Sequence, residues 1–228
     1  KILIRSLYEL CDNAVITKEI INGIEQYRVV PSIIEEYMES RVSIQQMNEN
    51  HPSHSDWIEQ WINSENIRVS LDNKHFFLER GELTEFTRKA IERANTSIFV
   101  INPFVDETNI SISLREASKN GIDVSMITRG TDDTVRLMFH KTLIENGVNI
   151  KYSGDTGHGI HAKIIVIDNE IAIISSMNLI PTSESGKSWE TGIVTLDTSV
   201  VMSITDSIKR EYNEISSSEY IDYNDIFD

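Results

Sequence analysis

Residues 161–178, which read HAKIIVIDNEIAIISSMN, decide the fold. Two apolar runs within this stretch, 164–167 and 171–174, are rich in β-branched residues and predict two strands that are buried on both faces. The polar triplet between the runs predicts a tight turn. Because the two strands of a hairpin run in opposite directions, the last residues of the stretch return to the sheet edge at which it begins.

Polar side chains at the two ends of this stretch suit a phosphodiester substrate. They are an imidazole, an ammonium, a hydroxyl and an amide, from His161, Lys163, Ser176 and Asn178. A nitrogen nucleophile can attack phosphorus, and a cation with hydrogen-bond donors stabilises the phosphoryl oxygens as charge redistributes. The hairpin therefore predicts one cleft that collects all four groups, and the carboxylate of Glu190 could hold the imidazole.

These residues resemble the signature of the phospholipase D superfamily, His-x-Lys-x4-Asp-x6-Gly-Ser-x-Asn with a later Glu. The matching positions are His161, Lys163, Asp168, Ser176, Asn178 and Glu190. One position departs from the signature: Ser175 stands where the family usually has Gly, and its hydroxymethyl group would narrow the approach to phosphate. The resemblance implies an α/β fold with a mixed, mostly parallel sheet sandwiched by helices, over residues 79–218.

The resemblance also implies a two-step phosphodiesterase mechanism that needs no metal and no cofactor. His161 would attack phosphorus and form a covalent phosphohistidine, and a second His would protonate the leaving oxygen and then activate water. Lys163, Ser176 and Asn178 would hold the nonbridging oxygens of the phosphate. Glu190 would accept the proton of the other ring nitrogen of His161, which fixes the tautomer.

Further residues complete the expected site. Asp168 belongs to the implied catalytic set, in a supporting role that ties the turn or Lys163 in place. The candidates for lining the pocket are Asn102, Arg129 and His158. Asn102 and Arg129 end predicted strands, where open α/β sheets place ligand contacts; surface and loop roles are the alternatives for Arg129 and His158. Three other histidines match no metal-ligand spacing and are expected in solvated loops: His51, His54 and His75.

The sequence contains one His-x-Lys motif, whereas the resemblance implies two motifs in each active site. A homodimer that brings two copies of His161 together would supply both, and a twofold interface is the commonest arrangement of oligomers. Alternatively, the second motif lies elsewhere in a longer protein, since this chain begins at Lys1 rather than Met. We favour the homodimer.

Hydrophobic periodicity from about residue 82 alternates between strand and helix patterns, which predicts a sheet covered on both faces. Strands are predicted at 97–105, 123–128, 148–152 and 190–196, and helices at 110–120, 132–146 and 200–215. Residues 1–78 predict a mainly helical N-terminal domain, in which Thr17 could cap one helix and Ser32 another. This domain could be a winged helix or a dimerisation arm. Residues 219–228 form an acidic tail.

The composition favours an intracellular, soluble protein. A single Cys11 excludes an intrachain disulfide, and no run of about 20 apolar residues predicts a membrane span. The formal charge of −15 opposes association of the whole chain with DNA, RNA or an anionic bilayer. A polyanionic substrate would therefore need a local basic patch, for which the candidates are Lys163, Arg129, Arg136 and Lys141.

Three functions agree with these features. The leading hypothesis is a metal-independent nuclease, because the chain is small and carries a single motif. The second is a phospholipase D or phosphatidyl transferase, which would require an apolar surface that faces a membrane. The third is a non-catalytic transcriptional regulator, with an N-terminal winged helix and a sensing domain that resembles the phospholipase D fold.

Overall fold

The computed structural model describes residues 16–21, 24–29, 54–67, 74–153 and 159–215. The chain divides into two compact units, Lys1–Ser53 and His54–Asp228. In the first unit, strands β1 (Ile16–Ile21) and β2 (Ile24–Val29) pair antiparallel. The expected helix with Thr17 at its cap was therefore wrong, because the β-branched residues of this segment favour a strand. The other helices expected before residue 51 lie outside the described residues.

A mixed sheet forms the centre of the second unit, as predicted. Its seven strands have the order β3-β9-β8-β7-β4-β5-β6. The strands are β3 (His75–Glu79), β4 (Ser97–Ile101), β5 (Asp123–Arg129), β6 (Asn149–Ser153), β7 (Ile164–Ile167), β8 (Ile171–Ser175) and β9 (Thr191–Thr195). Fewer strand pairs of this sheet are parallel than expected. Only β4–β5 and β5–β6 are parallel, and the other four pairs are antiparallel. The two parallel pairs are those joined through a helix of at least 11 residues, whereas the β7–β8 turn is too short for a crossover.

The described helices of this unit lie unequally on the two faces of the sheet. They are α1 (His54–Glu65), α2 (Arg80–Glu92), α3 (Asn109–Lys119), α4 (Thr134–Glu145), α5 (Pro181–Glu184) and α6 (Thr198–Glu214). Residues of α1 to α4 pack in one apolar cluster with one face of the sheet. Among these helices, only α6 contributes to the second cluster, where Val201 and Ile208 pack on Val166 and Ala172. One face of the sheet is thus covered by several helices and the other by one.

The second unit starts earlier than the expected boundary at residue 79. Strand β3 belongs to the main sheet, since Phe77 lies opposite Ile193 of β9. Helix α1 belongs to the same core, because the rings of Trp61 and Phe86 lie 5.0 Å apart and both side chains are buried. His54, expected in a solvated loop, is also buried in this helix.

A buried histidine in α4 makes the stability of this unit sensitive to pH. The two ring nitrogens of His140 lie 2.9 Å from the Val105 carbonyl oxygen and 3.1 Å from the Tyr152 hydroxyl. Burial lowers the pKa of His140 below its ordinary 6.5, although the bond to Val105 opposes this shift. The folded chain thus binds fewer protons than the unfolded chain below that pH, and stability falls as pH decreases.

We expect the free energy of unfolding to decrease by up to about 1.4 kcal/mol for each pH unit below 6.5 through this one group. Urea denaturation at pH 7.5, 6.5 and 5.5 measures the slope. His140→Phe is the control, because it removes the titrating group and keeps an aromatic ring. Equal pH slopes in the wild type and this variant would contradict the assignment.

Candidate active site

Four strands bring the motif residues to one edge of the sheet. Ile164, at the start of β7, lies opposite Ile174 of β8 and Ile101 of β4. Ser175, at the end of β8, lies opposite Gly192 near the start of β9. The residues just before β7 and β9 and just after β4 and β8 therefore meet at this edge. The sequence predicted this convergence for β7 and β8.

The nucleophile candidate and the cation candidate are adjacent. His161 is exposed, whereas Lys163 is only 9% exposed. The Lys163 ammonium donates to the carbonyl oxygen of His161 at 2.8 Å, and its Nζ lies 3.4 Å from Nδ1 of the ring. Burial and the nearby charge of Arg129 lower the pKa of Lys163, while Glu190 opposes the shift. A positive charge is thus held beside an imidazole that faces solvent.

Two serine hydroxyls hold the buried carboxylate of Glu190. Ser176 donates to one carboxylate oxygen at 2.5 Å, and Ser183 donates to the other at 2.8 Å. The hydroxyl oxygen of Ser176 in turn accepts from the Thr191 amide at 3.1 Å. Within the described residues, the expected bond from His161 to Glu190 is not formed. Ser183 was not foreseen, because it lies in the four-residue helix α5, which has no periodic signal in the sequence.

The loop that carries Ser176 and Asn178 is braced by Asn102. This buried side chain donates to the Met177 carbonyl oxygen at 3.0 Å, and its own oxygen accepts from the Leu179 amide at 3.3 Å. The Asn102 side chain therefore positions the loop by hydrogen bonds to the backbone of the loop. Ser175, which replaces the family's Gly, also bonds this loop, since its hydroxyl accepts from the Met177 amide at 3.3 Å.

The amide oxygen of Asn178 is buried and has no hydrogen-bond partner within the described part of the chain. An unmet buried acceptor of this kind costs about 1–3 kcal/mol. The amide oxygen of Asn178 can therefore accept a hydrogen bond from a donor that the described residues do not supply.

Arg129 adds a second cation at the same edge. Its Nε donates to the Ile160 carbonyl oxygen at 2.8 Å, immediately before His161. Its guanidinium carbon lies 5.7 Å from the centre of the Phe104 ring. Another residue expected in the basic patch, Arg136, is paired with Asp106 at 2.6 Å. The predicted pocket residue His158 lies outside the described residues.

Asp168 does not join this group, because it lies at the opposite end of β7. Its carboxylate accepts hydrogen bonds from the backbone amides of Asn95, Thr96 and Ser97, from the Thr96 hydroxyl and from His54. Burial alone would raise the pKa of Asp168, but the bonds from His54 and the amides hold it well below its ordinary value. Asp168 and the next residue both have positive φ, which completes the predicted tight turn. Asp168 therefore holds the turn between β7 and β8 in place, rather than Lys163.

An apolar cavity of about 670 Å³ opens beside His161. Isoleucine side chains from the sheet edge and from α6 provide much of its wall: Ile101, Ile160, Ile164, Ile204 and Ile208. Across the described ranges, no group of three or more His, Cys, Asp or Glu could hold a metal ion. Every helix in these ranges is too short or too polar to cross a bilayer.

Comparisons with known proteins agree with this geometry. The family model described as "Cardiolipin synthase, PLD-like domain" matches residues 87–213, more than half of the chain. The cardiolipin synthase of Halalkalibacterium halodurans is 35% identical over 96 residues, which are 39% of this chain and 18% of that protein. The chain thus spans less than a fifth of the length of this relative.

Two solved structures share the fold. Nuc, a phospholipase D family member from Salmonella typhimurium, superposes with a TM-score of 0.55 at 20% identity, over 61% of this chain and 95% of that one. Phosphatidylserine synthase from Haemophilus influenzae superposes with a TM-score of 0.50 at 12% identity, over 62% of this chain and 39% of that one. With the motif at one sheet edge and a family model over residues 87–213, the chain belongs to the phospholipase D superfamily.

Proposed function

We propose that this protein is a metal-independent phosphodiesterase that cleaves nucleic acid through a covalent phosphohistidine on His161, with two chains forming the active site. One observation carries the proposal: an exposed imidazole has a buried ammonium 3.4 Å from its Nδ1. The Ser176–Glu190 pair lies at the same edge. Nucleophile, cation and carboxylate are the groups that displacement at phosphorus requires.

The reaction would take place in two displacements. An unprotonated nitrogen of His161 attacks phosphorus, the bond to the leaving oxygen breaks, and that oxygen takes a proton from a second imidazole. Water then attacks phosphorus, gives its proton to the second imidazole, and the phosphorus–nitrogen bond breaks. General acid–base help of this kind is worth about 10²–10⁴-fold. Lys163 stabilises the charge that collects on the nonbridging oxygens in both steps.

The second imidazole would come from a second copy of the chain. The sequence has a single His-x-Lys motif, at His161. Two chains related by a twofold axis would place one His161 on each side of the phosphorus, and each would take one of the two roles.

A phosphatidyl transferase is the second candidate, and two observations favour it. The sequence relatives are named cardiolipin synthases, at 34–35% identity over 96 residues. The cavity beside His161 has a mainly apolar wall that includes five isoleucine side chains, and such a wall suits an acyl chain better than a nucleotide. The formal charge of −15 opposes approach to any polyanionic substrate, nucleic acid and anionic bilayer alike.

Hydrolysis of bis-p-nitrophenyl phosphate by the full chain in excess EDTA tests the phosphodiesterase. We expect turnover that added Mg²⁺ does not change. Single-stranded DNA, RNA and phosphatidylglycerol vesicles, assayed side by side, then assign the substrate class. Cleavage of vesicles alone would replace the nuclease by the phosphatidyl transferase. Absence of turnover on every substrate between pH 5 and 9 would contradict both and support a non-catalytic regulator.

A further inference from the structure

We propose that Arg129 is a specificity-determining residue, whose guanidinium binds a second phosphate of the substrate strand, next to the phosphate that His161 attacks. The inference rests on the proposed function, which makes the substrate a nucleic acid. It goes beyond that function by naming the group that the site recognises besides the bond that it cleaves.

The guanidinium of Arg129 is held in place beside the nucleophile. Its Nε donates to the carbonyl oxygen of Ile160 at 2.8 Å, and Ile160 directly precedes His161. Its central carbon lies 5.7 Å from the centre of the Phe104 ring. Gly159 borders the same group, because a Cβ atom at that position would lie 3.4 Å from Nη2 of Arg129. A side chain that is already fixed in this way loses little conformational freedom when a ligand binds.

The outer nitrogens of this guanidinium can bind a ligand. Within the described ranges, Nε is the nitrogen of Arg129 that has a hydrogen-bond partner, and no carboxylate forms an ion pair with the side chain. Nη1 and Nη2 therefore present a planar pair of donors. Such a pair matches two oxygens of a phosphate group, to which it can make two parallel charge-assisted hydrogen bonds.

Arg129 and Lys163 are placed to bind different phosphates. Nζ of Lys163 lies 3.4 Å from the ring of His161, which suits the phosphate under attack. Arg129 instead contacts the backbone of the preceding residue. Burial and, as the second cause, the charge of Arg129 lower the pKa of Lys163, so the two cations disfavour each other. A substrate with two neighbouring negative groups relieves this repulsion.

The nearby Arg136 does not offer the same site. Its guanidinium carbon lies 5.5 Å from the centre of the same Phe104 ring, but its Nε donates to the Asp106 carboxylate at 2.6 Å. Three acidic residues line the cavity that contains this pair: Asp106, Glu107 and Asp133. Carboxylates repel a phosphate, so Arg129 is the better anion site of the two arginines at this ring.

Three short substrates test the subsite: a thymidine dinucleotide with one phosphodiester, and the same dinucleotide with a phosphate added at its 5′ or its 3′ end. Selectivity is the ratio of kcat/KM for a phosphorylated dinucleotide to kcat/KM for the plain one. We expect the wild type to prefer one phosphorylated form. Arg129→Gln should lower that selectivity by about 10–100-fold, the scale of hydrogen bonds to a charged group. Arg129→Lys keeps the charge without the planar pair of donors and should recover only part of it.

Arg136→Gln is the matched control, because it removes the same charge beside the same ring from an arginine that is already paired. It should leave the selectivity within about fivefold of the wild type, the scale of an exposed ion pair. If Arg129→Gln instead lowers kcat/KM equally for all three dinucleotides, Arg129 only holds the backbone before His161, and the proposal is overturned.

Binding measurements separate this inference from the proposed function. His161→Ala lacks the nucleophile, so calorimetric titration of this variant with the three dinucleotides measures affinity without turnover. If it binds a phosphorylated dinucleotide more tightly than the plain one, and a further Arg129→Gln change removes that difference, the subsite is supported even where the wild type cleaves nothing; only the function then fails. Cleavage without preference for a second phosphate overturns the subsite and leaves the function standing.

A second phosphate can also come from a lipid, since cardiolipin carries two phosphates and phosphatidylglycerol carries one. Vesicles of each lipid are therefore compared with the wild type and Arg129→Gln. If the variant loses a preference for cardiolipin but cleaves all three dinucleotides as the wild type does, Arg129 binds a lipid headgroup. That result overturns the proposal.

Discussion

His161→Ala is expected to lower the rate of phosphodiester hydrolysis by about 10⁴-fold or more, because it removes the atom that attacks phosphorus. The side chain is exposed, and its Nδ1 lies 3.4 Å from Nζ of Lys163. Its removal should therefore leave the melting temperature within a degree or two of the wild type. Loss of rate without loss of stability separates the nucleophile from a structural histidine.

Turnover of bis-p-nitrophenyl phosphate and the melting temperature measure the two effects together. His75→Ala is the matched control: it removes a histidine from the far end of β3, where His75 lies opposite Thr195. This variant should keep its activity. Mass spectrometry of the wild type, quenched at alkaline pH during turnover, should find a p-nitrophenyl phosphoryl group on the peptide that contains His161. Undiminished turnover in His161→Ala, or this group on a different residue, would contradict the mechanism.

The hairpin that brings the motif residues to one edge could be predicted more directly than the strand pairings around it, for a physical reason. His161, Lys163, Ser176 and Asn178 flank one hairpin, whose register is set by local apolar runs and a tight turn. Local patterns of this kind can be read without knowledge of the rest of the fold. The residues that hold the hairpin in place come from distant parts of the chain, and no local pattern indicates them.

Three examples show this limit. Strand β3 pairs with β9 more than a hundred residues later, although most of β3 lies within the span 1–78 that was predicted as a separate domain. His54 bonds Asp168 across 114 residues of sequence, and a histidine at the start of a helix gives no sign of such a partner. Ser183 reaches Glu190 from a helix of one turn. Each depends on tertiary packing rather than on periodicity.

The mixed sheet and its crossover helices were predicted because their signals are periodic. Helices α3, α4 and α6 start and end within one or two residues of the expected positions. Side-chain caps explain this agreement, since Thr108, Asp133 and Asp197 each accept a hydrogen bond from the first turn of the helix they precede. Strand direction was less predictable, because it depends on which neighbours pair.

Asp168→Ala is expected to have the largest effect on stability, with little effect on the chemistry. The carboxylate is the shared acceptor for a set of donors from two distant segments: the Asn95, Thr96 and Ser97 amides, the Thr96 hydroxyl and the His54 ring. Removing it leaves these donors without an acceptor in a partly buried place. Breaking a buried charged network in this way costs about 3–5 kcal/mol.

Because of the orientation of His54, we expect Asp168→Ala to lose more stability than the loss of an ordinary turn hydrogen bond would cost. Trp57 donates to Nδ1 of His54 at 3.1 Å, so the proton of the ring is on Nε2 and points at Asp168. The three side chains therefore connect α1 to the turn between β7 and β8. Without the carboxylate, His54 is left buried with an unused donor, and α1 loses a hydrogen bond to the turn between β7 and β8.

Urea denaturation at pH 7 measures the effect, and Asp133→Ala is the matched control. Asp133 also accepts two backbone amide bonds, but at the exposed start of α4, where loss of a cap costs about 1 kcal/mol. Because the pKa of Asp168 lies below its ordinary 3.8, its contribution is complete above that pH and is lost as pH falls further. The wild type should therefore lose this stability only in strong acid, whereas the variant lacks it at every pH.

Catalysis distinguishes this structural role from a direct one. The folded fraction of Asp168→Ala should hydrolyse bis-p-nitrophenyl phosphate at close to the wild-type rate, because the carboxylate lies at the end of β7 opposite His161. Rates measured at a temperature where the variant is fully folded, and divided by the folded concentration, make the comparison. A loss of more than about 100-fold in that rate, which is the scale of acid–base participation, would place Asp168 in the chemistry. It would also mean that residues at both ends of β7 contribute to catalysis.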